Sequence, residues 1–116
     1  MAKEPIELPP QGNTYCMPVD VADIARMLPA FWSAATAPAT IVNMSGDEMV
    51  SDEEYTGYIS KISGFPVTYK RGTYFRDNFP TDNTRRERIA GKCQVRWQDG
   101  IRAAVEAHFP GLTKGR

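Results

Sequence analysis

The chain has 116 residues, 41% of them hydrophobic and 10% aromatic, which excludes wholesale disorder and fits one globular domain. Lys+Arg and Asp+Glu each number 14, so the net charge is zero and a nucleic-acid partner held by bulk charge is not expected. No apolar run approaches the roughly 20 residues of a membrane span, and Met1-Ala2-Lys3-Glu4 leads into no signal-like stretch, so the expected location is cytoplasmic.

Two cysteines, Cys16 and Cys93, and one histidine, His108, are too few for a zinc site; reduced thiols are the expected state. The zero charge hides an asymmetry. Residues 1–69 carry a net −6 and residues 70–102 a net +5, a pattern that serves an anionic ligand, intramolecular pairing or a plain solvated surface.

In chain order, residues 1–13 hold Pro5, Pro9, Pro10 and Gly12 and read as an irregular or edge segment. Tyr15 to Val19 is a candidate short strand. Asp20 stands where an N-cap belongs, and Val21, Ile24, Ala25, Leu28, Trp32 and Ala35 follow at helical spacing, with Pro29 set to kink or split the helix. Thr40 to Met44 is a β-branched run that predicts a strand, closed by Ser45-Gly46-Asp47.

Ser51-Asp52-Glu53-Glu54 is a capping box, followed by Tyr55, Tyr58, Ile59 and Ile62 on one helical face and Gly64 as the stop. Phe65 to Lys70 reads as a strand, and Gly72 to Thr81 as a long loop unusually rich in aromatics. Asp82 is placed to cap a short helix to Ala90, ended by Gly91. Trp97, Ile101, Ala104, Val105 and His108 form a last helical stripe stopped by Pro110-Gly111, before a flexible tail over 112–116. The expected fold class is α/β: a small partial domain over 1–116, with three to four helices and a few short strands.

The order of these segments resembles the C-terminal part of the extended short-chain dehydrogenases/reductases, the NAD-dependent epimerase/dehydratase family. Pro18-Val19-Asp20-Val21-Ala22-Asp23-Ile24-Ala25 looks like that family's hydrophobic-His-Val-x-Asp-Val-Ala junction. Ile41-Val42-Asn43-Met44-Ser45-Gly46 is similar to its Tyr-Asn-Val-Gly strand, and Ser51 to Glu54 to the cap that follows. Thr81-Asp82-Asn83-Thr84-Arg85 resembles its Ala-Asp-Thr-Ser-Lys, and Val95 to Ile101 its last helix. The resemblance covers about four-fifths of the chain and implies a substrate-binding portion set beside a Rossmann portion that holds NAD or NADP and a catalytic Tyr-Lys pair.

The departures are as informative. No three glycines here have G-x-x-G-x-x-G spacing, and no tyrosine is followed four residues later by lysine. No catalytic residue, cofactor-binding residue or metal ligand is therefore expected in this chain, and alone it should be inactive. Nucleotide-sugar members often carry Arg-Asp before the junction, where this chain has Cys16-Met17, and Asp20 replaces the His; the substrate stays open.

Candidate substrate contacts are Arg71, Tyr74 and Arg76, in and beside the aromatic loop, because a guanidinium suits phosphate or carboxylate. Asp23 reads as a carboxylate favoured by the helix dipole, Tyr55 and Tyr58 as core, Asn43 as a backbone-orienting side chain, and His108 as a last-turn cation. Arg85 and Arg86 oppose the dipole of their helix unless an acid or anion lies near. Two readings follow: the substrate-binding portion of an NAD(P)-dependent oxidoreductase or isomerase, or a small non-catalytic module that self-associates. In both, the apolar helix face from Val21 and the strand at 40–44 await either the missing Rossmann portion or a second copy.

Overall fold

The computed structural model describes residues 4–73, 78 and 80–115. Its elements run β1 (Ile6–Leu8), β2 (Tyr15–Cys16), α1 (Val21–Ala34), β3 (Val50–Ser51), α2 (Asp52–Ser63), β4 (Tyr69–Arg71), α3 (Thr84–Ala90) and α4 (Trp97–His108). This is the α/β composition expected, with four helices and strands of two or three residues. Among the described residues no helix is long and apolar enough to cross a membrane. The chain gathers into two compact units, each assembled from separated segments: unit 1 from 1–16, 50–79 and 101–116, unit 2 from 17–49 and 80–100.

Unit 1 is organised by α2. Ser51 caps it, its Oγ accepting the Glu54 N–H at 3.1 Å. The Glu54 carboxylate reaches back as the capping box predicts, but it accepts from the Ser51 hydroxyl at 3.3 Å. At the far end Gly64 takes φ 77°, a left-handed conformation that a Cβ would strain, and its N–H closes onto Ser60 O. Ile62, on the predicted face, is fully buried; Leu8, Val50 and Ile101 complete the apolar core of the unit.

Strand pairing is where the sequence said least. β1 runs parallel to β4, Ile6 opposite Tyr69 and Leu8 opposite Arg71, while β2 pairs antiparallel with β3. The strand expected over Phe65 to Lys70 is shorter and later, because only Tyr69–Arg71 finds a partner edge. The Tyr69 hydroxyl meets Thr56 Oγ1 at 2.8 Å and donates to Glu53 O at 3.3 Å, tying β4 to α2.

In unit 2, Asp20 caps α1 as predicted, its Oδ1 accepting the Ala22 N–H at 2.8 Å. Pro29 lies inside the helix without ending it: α1 continues to Ala34. Only Asp23 and Met27 are buried on α1, whereas Val21 and Trp32 of the predicted apolar stripe are 75% and 70% exposed. The stripe is real in sequence and uncovered in the structure. The run from Thr40 to Met44 is not a strand: among the described residues no second strand lies alongside it to complete a ladder, and Ile41 stands exposed.

The α3 cap is displaced by one residue from the expected position. Asn83 occupies the cap site with no capping bond, and the Asp82 carboxylate accepts both Thr84 N–H at 2.9 Å and Thr84 Oγ1–H at 2.6 Å. Asn83 turns inward instead, donating to Ser45 Oγ and Gly46 O at 3.0 Å each. Gly46 itself presses against the backbone of Pro18, with its N–H donating to Met17 O at 3.0 Å; a Cβ there would overlap the Pro18 carbonyl.

Because the obstruction is backbone, it cannot rotate away. Gly46→Ala is expected to destabilise the fold by about 2 kcal/mol or more, read as a lowered midpoint in urea denaturation. Ile62→Ala should cost about 2–5 kcal/mol through the cavity it opens. Equal midpoints for wild type and either variant would contradict the packing described.

Candidate functional site

Of the candidate substrate contacts, Arg71 is described and Tyr74 and Arg76 lie outside the described residues. Arg71 extends from β4, and its Nη1 donates to Pro9 O at 3.2 Å and to Gly12 O, while Nη2 stands 3.8 Å from the Glu53 carboxylate. It is half exposed, and much of its donor fork is engaged in holding the turn at 9–12. Tyr55 and Tyr58 are half-buried on α2. His108 makes a local contact, Nδ1 to Ala104 O at 2.9 Å. The Asn43 amide donates to Asp82 O at 3.5 Å.

The strongest polar arrangement in unit 2 is one that sequence reasoning only partly anticipated. Asp23, 1% exposed, accepts the N–H of Gln94 at 2.9 Å and of Val95 at 3.0 Å, and pairs with Arg26 at 3.0 Å. Asp47 accepts the Cys93 N–H at 2.8 Å and a proton from the Nη2 of Arg86. Arg86 is fully buried and also donates to Gly91 O at 2.9 Å and Ser45 O at 3.3 Å.

These environments fix the charge states. Burial pushes the Asp23 carboxyl up, but the Gln94 and Val95 amides and the Arg26 guanidinium outweigh it and hold the group below its ordinary 3.8. Burial likewise works against ionised Asp47, and Arg86 with the Cys93 N–H brings it below the same value. Burial and the Asp47 charge raise the Cys93 thiol, so it is a poor nucleophile at neutral pH. Asp23 and Asp47 thus stay ionised and bonded; neither has a proton to exchange with a substrate.

Helical position alone places Asp23 in the first turn, where dipole stabilisation suffices to explain it. Met27, one turn on and also buried, was the available sign that this face points inward. Arg86 did call for an acidic partner, and Asp47 is that partner.

Among the described residues, two hollows in unit 2 stand out. One, of about 120 Å³, is bounded by Pro18, Asp47, Glu48, Cys93 and Trp97, and is smaller than ligand pockets usually are. The other is a groove of about 350 Å³ between residues 41–43 and α3, lined by Ile41, Asn43, Asp82, Thr84, Arg85 and Arg88. Arg85 is held there by Ile41 O at 2.7 Å.

The chain has the fold of part of an extended short-chain dehydrogenase/reductase. Among the solved structures it resembles is UDP-glucuronic acid 4-epimerase from Bacillus cereus in complex with NAD: TM-score 0.65 over 87% of this chain, at 18% identity. The chain spans 33% of that protein's length. No family model matches the sequence, and no curated protein does.

The buried pair makes two measurable predictions. Asp47→Leu leaves Arg86 buried without its counter-charge and should cost about 3–5 kcal/mol, while Asp47→Leu with Arg86→Met should recover much of that. A double variant no more stable than the single one would contradict this. Acid should also weaken the fold. Both aspartates sit below 3.8, so the unfolded chain takes up protons first and the stability they contribute is whole above about pH 5. It drains as pH falls from near 4 through the lowered folded values, and urea midpoints at pH 7, 5 and 3 check the sequence of a plateau and then a drop.

Proposed function

We propose that this chain is the substrate-binding portion of an NAD(P)-dependent epimerase, dehydratase or reductase, with cofactor and Tyr-Lys chemistry supplied by a Rossmann portion outside these 116 residues. The observation that carries the reading is the fold: 87% of the chain superposes on one third of an epimerase solved with NAD. When bound, a nicotinamide cofactor takes up or returns a hydride. The residues here do not fit it.

Besides the missing glycine loop, α1, α2 and α4 present acid where a pyrophosphate needs bare N–H donors. α1 begins with Asp20 and Asp23, α2 with Asp52, Glu53 and Glu54, and α4 with Asp99 in its first turn. This chain supplies no group to a cofactor step. Its part in the reaction is to hold substrate.

The uncovered stripe on α1 supports a second reading, a self-associating interaction module. Val21, Leu28, Trp32 and nearby Ile41 are exposed apolar residues, and burying a few hundred Å² at about 25 cal/mol per Å² offsets association costs at micromolar concentration. Either occupant, a Rossmann portion or a second copy, would cover it. The coding sequence around the gene decides between them most directly. A contiguous or adjacent frame encoding G-x-x-G-x-x-G and Tyr-x-x-x-Lys supports the substrate-binding portion; its absence favours the module.

Calorimetric titration with NAD(H) and NADP(H) is expected to give no saturable binding tighter than about 100 μM, near −5.5 kcal/mol; tighter binding would overturn the assignment. Light scattering is expected to give a mass that rises with concentration, and Trp32→Asp with Val21→Asp should return it to that of a monomer. A monodisperse wild-type monomer argues against both partner assignments.

A further inference from the structure

We propose that Met17 is a reversible oxidation site: a small hydroperoxide converts its thioether to the sulfoxide, and the change loosens the attachment of α3 within unit 2. The inference is independent of the substrate-binding reading. It uses neither the apolar face of α1 nor residues 40–44.

A thioether in a protein interior packs as an apolar group and accepts hydrogen bonds only weakly. The Met17 sulfur is placed otherwise. It accepts the Thr81 N–H at 3.3 Å and stands 3.8 Å from Ser45 Oγ. It therefore joins the stretch entering α1 to the loop at 45–46 and to the stretch entering α3, all of them within unit 2. The Met17 carbonyl adds a second tie to that loop, accepting the Gly46 N–H at 3.0 Å. Ser45 is itself a junction. Its Oγ lies 3.2 Å from Asn83 Oδ1 and accepts from Asn83 Nδ2 at 3.0 Å, while its carbonyl accepts from buried Arg86 at 3.3 Å.

The chemistry requires only the peroxide. A sulfur lone pair attacks the terminal oxygen, the O–O bond breaks, and the proton on the transferred oxygen moves to the departing one, which leaves as water or an alcohol. Sulfur gives up two electrons and the peroxide is reduced. Met17 is half-buried, whereas Met27 is 1% exposed and closed to solvent. Neither the 3.3 Å nor the 3.8 Å separation admits a further oxygen at ordinary hydrogen-bond length, so an oxygen facing either donor displaces it. The sulfoxide oxygen is also a stronger acceptor than sulfur and draws the Ser45 proton away from Asn83. The bonds that seat Asn83, and with it the start of α3, weaken together. Met49 is 53% exposed and shares none of these contacts, so its oxidation should leave the fold unchanged.

The test treats the full chain with hydrogen peroxide, re-reduces the thiols, and locates added oxygen by peptide mass mapping. Urea midpoints and the amide NMR signals of Ser45, Gly46, Thr81 and Asn83 report the consequence. Chain oxidised at Met17 is expected to have a lowered midpoint and shifted signals at those four residues. Methionine sulfoxide reductases for both epimers, supplied together, should restore each. Met17→Leu should abolish the peroxide-dependent drop, measured against its own untreated midpoint, and Met49→Leu should keep it.

The proposal is overturned if Met17 stays unoxidised while Met49 is fully converted, or if oxidised Met17 leaves midpoint and signals unmoved. A drop of equal size in Met17→Leu also overturns it. Where Met17→Leu does not fold, the reductase arm decides: recovery of the midpoint in step with loss of the Met17 oxygen supports the switch, and a midpoint that stays low after that oxygen is gone refutes it.

Discussion

Three consecutive peptide N–H groups, those of Cys93, Gln94 and Val95, donate into two carboxylates, and the arrangement of unit 2 depends on those bonds. Asp23 brings its carboxylate from α1 and Asp47 from the loop after residues 40–44, so one short irregular stretch is held from two sides. Hydrogen bonds to a charged acceptor are worth about 1.5–3 kcal/mol each, more than an ordinary backbone bond. Arg86 completes the arrangement: burying it requires an anion, and Asp47 serves as anion and as acceptor together. With little apolar core on α1 beyond Met27, unit 2 leans on charge-assisted polar bonding around Asp23, Asp47 and Arg86.

How much of this could be read beforehand divides along local and non-local lines. The caps of α1 and α2 and the glycine stops at Gly64 and Gly91 were legible because each is made by residues within four positions of one another. The pairing of β1 with β4 was not, because two three-residue strands more than sixty positions apart leave no pattern that names the partner. The run from Thr40 to Met44 has strand composition, and composition cannot supply the neighbouring edge that makes a strand. Arg71 was legible as a guanidinium near the aromatic loop; that it would clamp Pro9 and Gly12 depended on how the N-terminal turn folds back. Asp23 was visible only as a helix-start acid, since its two peptide partners lie some seventy residues further on.

The fold and the chemistry carry separate weight. Superposition at 18% identity speaks to architecture, and it agrees with the order of motifs read from the sequence. The acidic helix starts bear on chemistry, and they turn a phosphate-bearing dinucleotide away from every described helix long enough to receive one. The basic face of α3 is the exception on this surface. A chain that repels anions at its helix starts and gathers two arginines over one groove has sorted its charges by location rather than by total.

Unit 1 and unit 2 are interleaved along the chain: 1–16 belongs to the first, 17–49 to the second, 50–79 to the first, 80–100 to the second and 101–116 to the first. During synthesis, which proceeds at about 5–20 residues per second, α1 leaves the ribosome long before residues 93–95 exist to occupy Asp23. Neither body can close until the last quarter of the chain is free. For those seconds the nascent chain carries an apolar helix, a half-made polar clamp and an unpaired first strand. Its exposure to chaperones and to other nascent chains is therefore set by the order in which its segments emerge, and rare codons placed before residue 93 would lengthen that exposure.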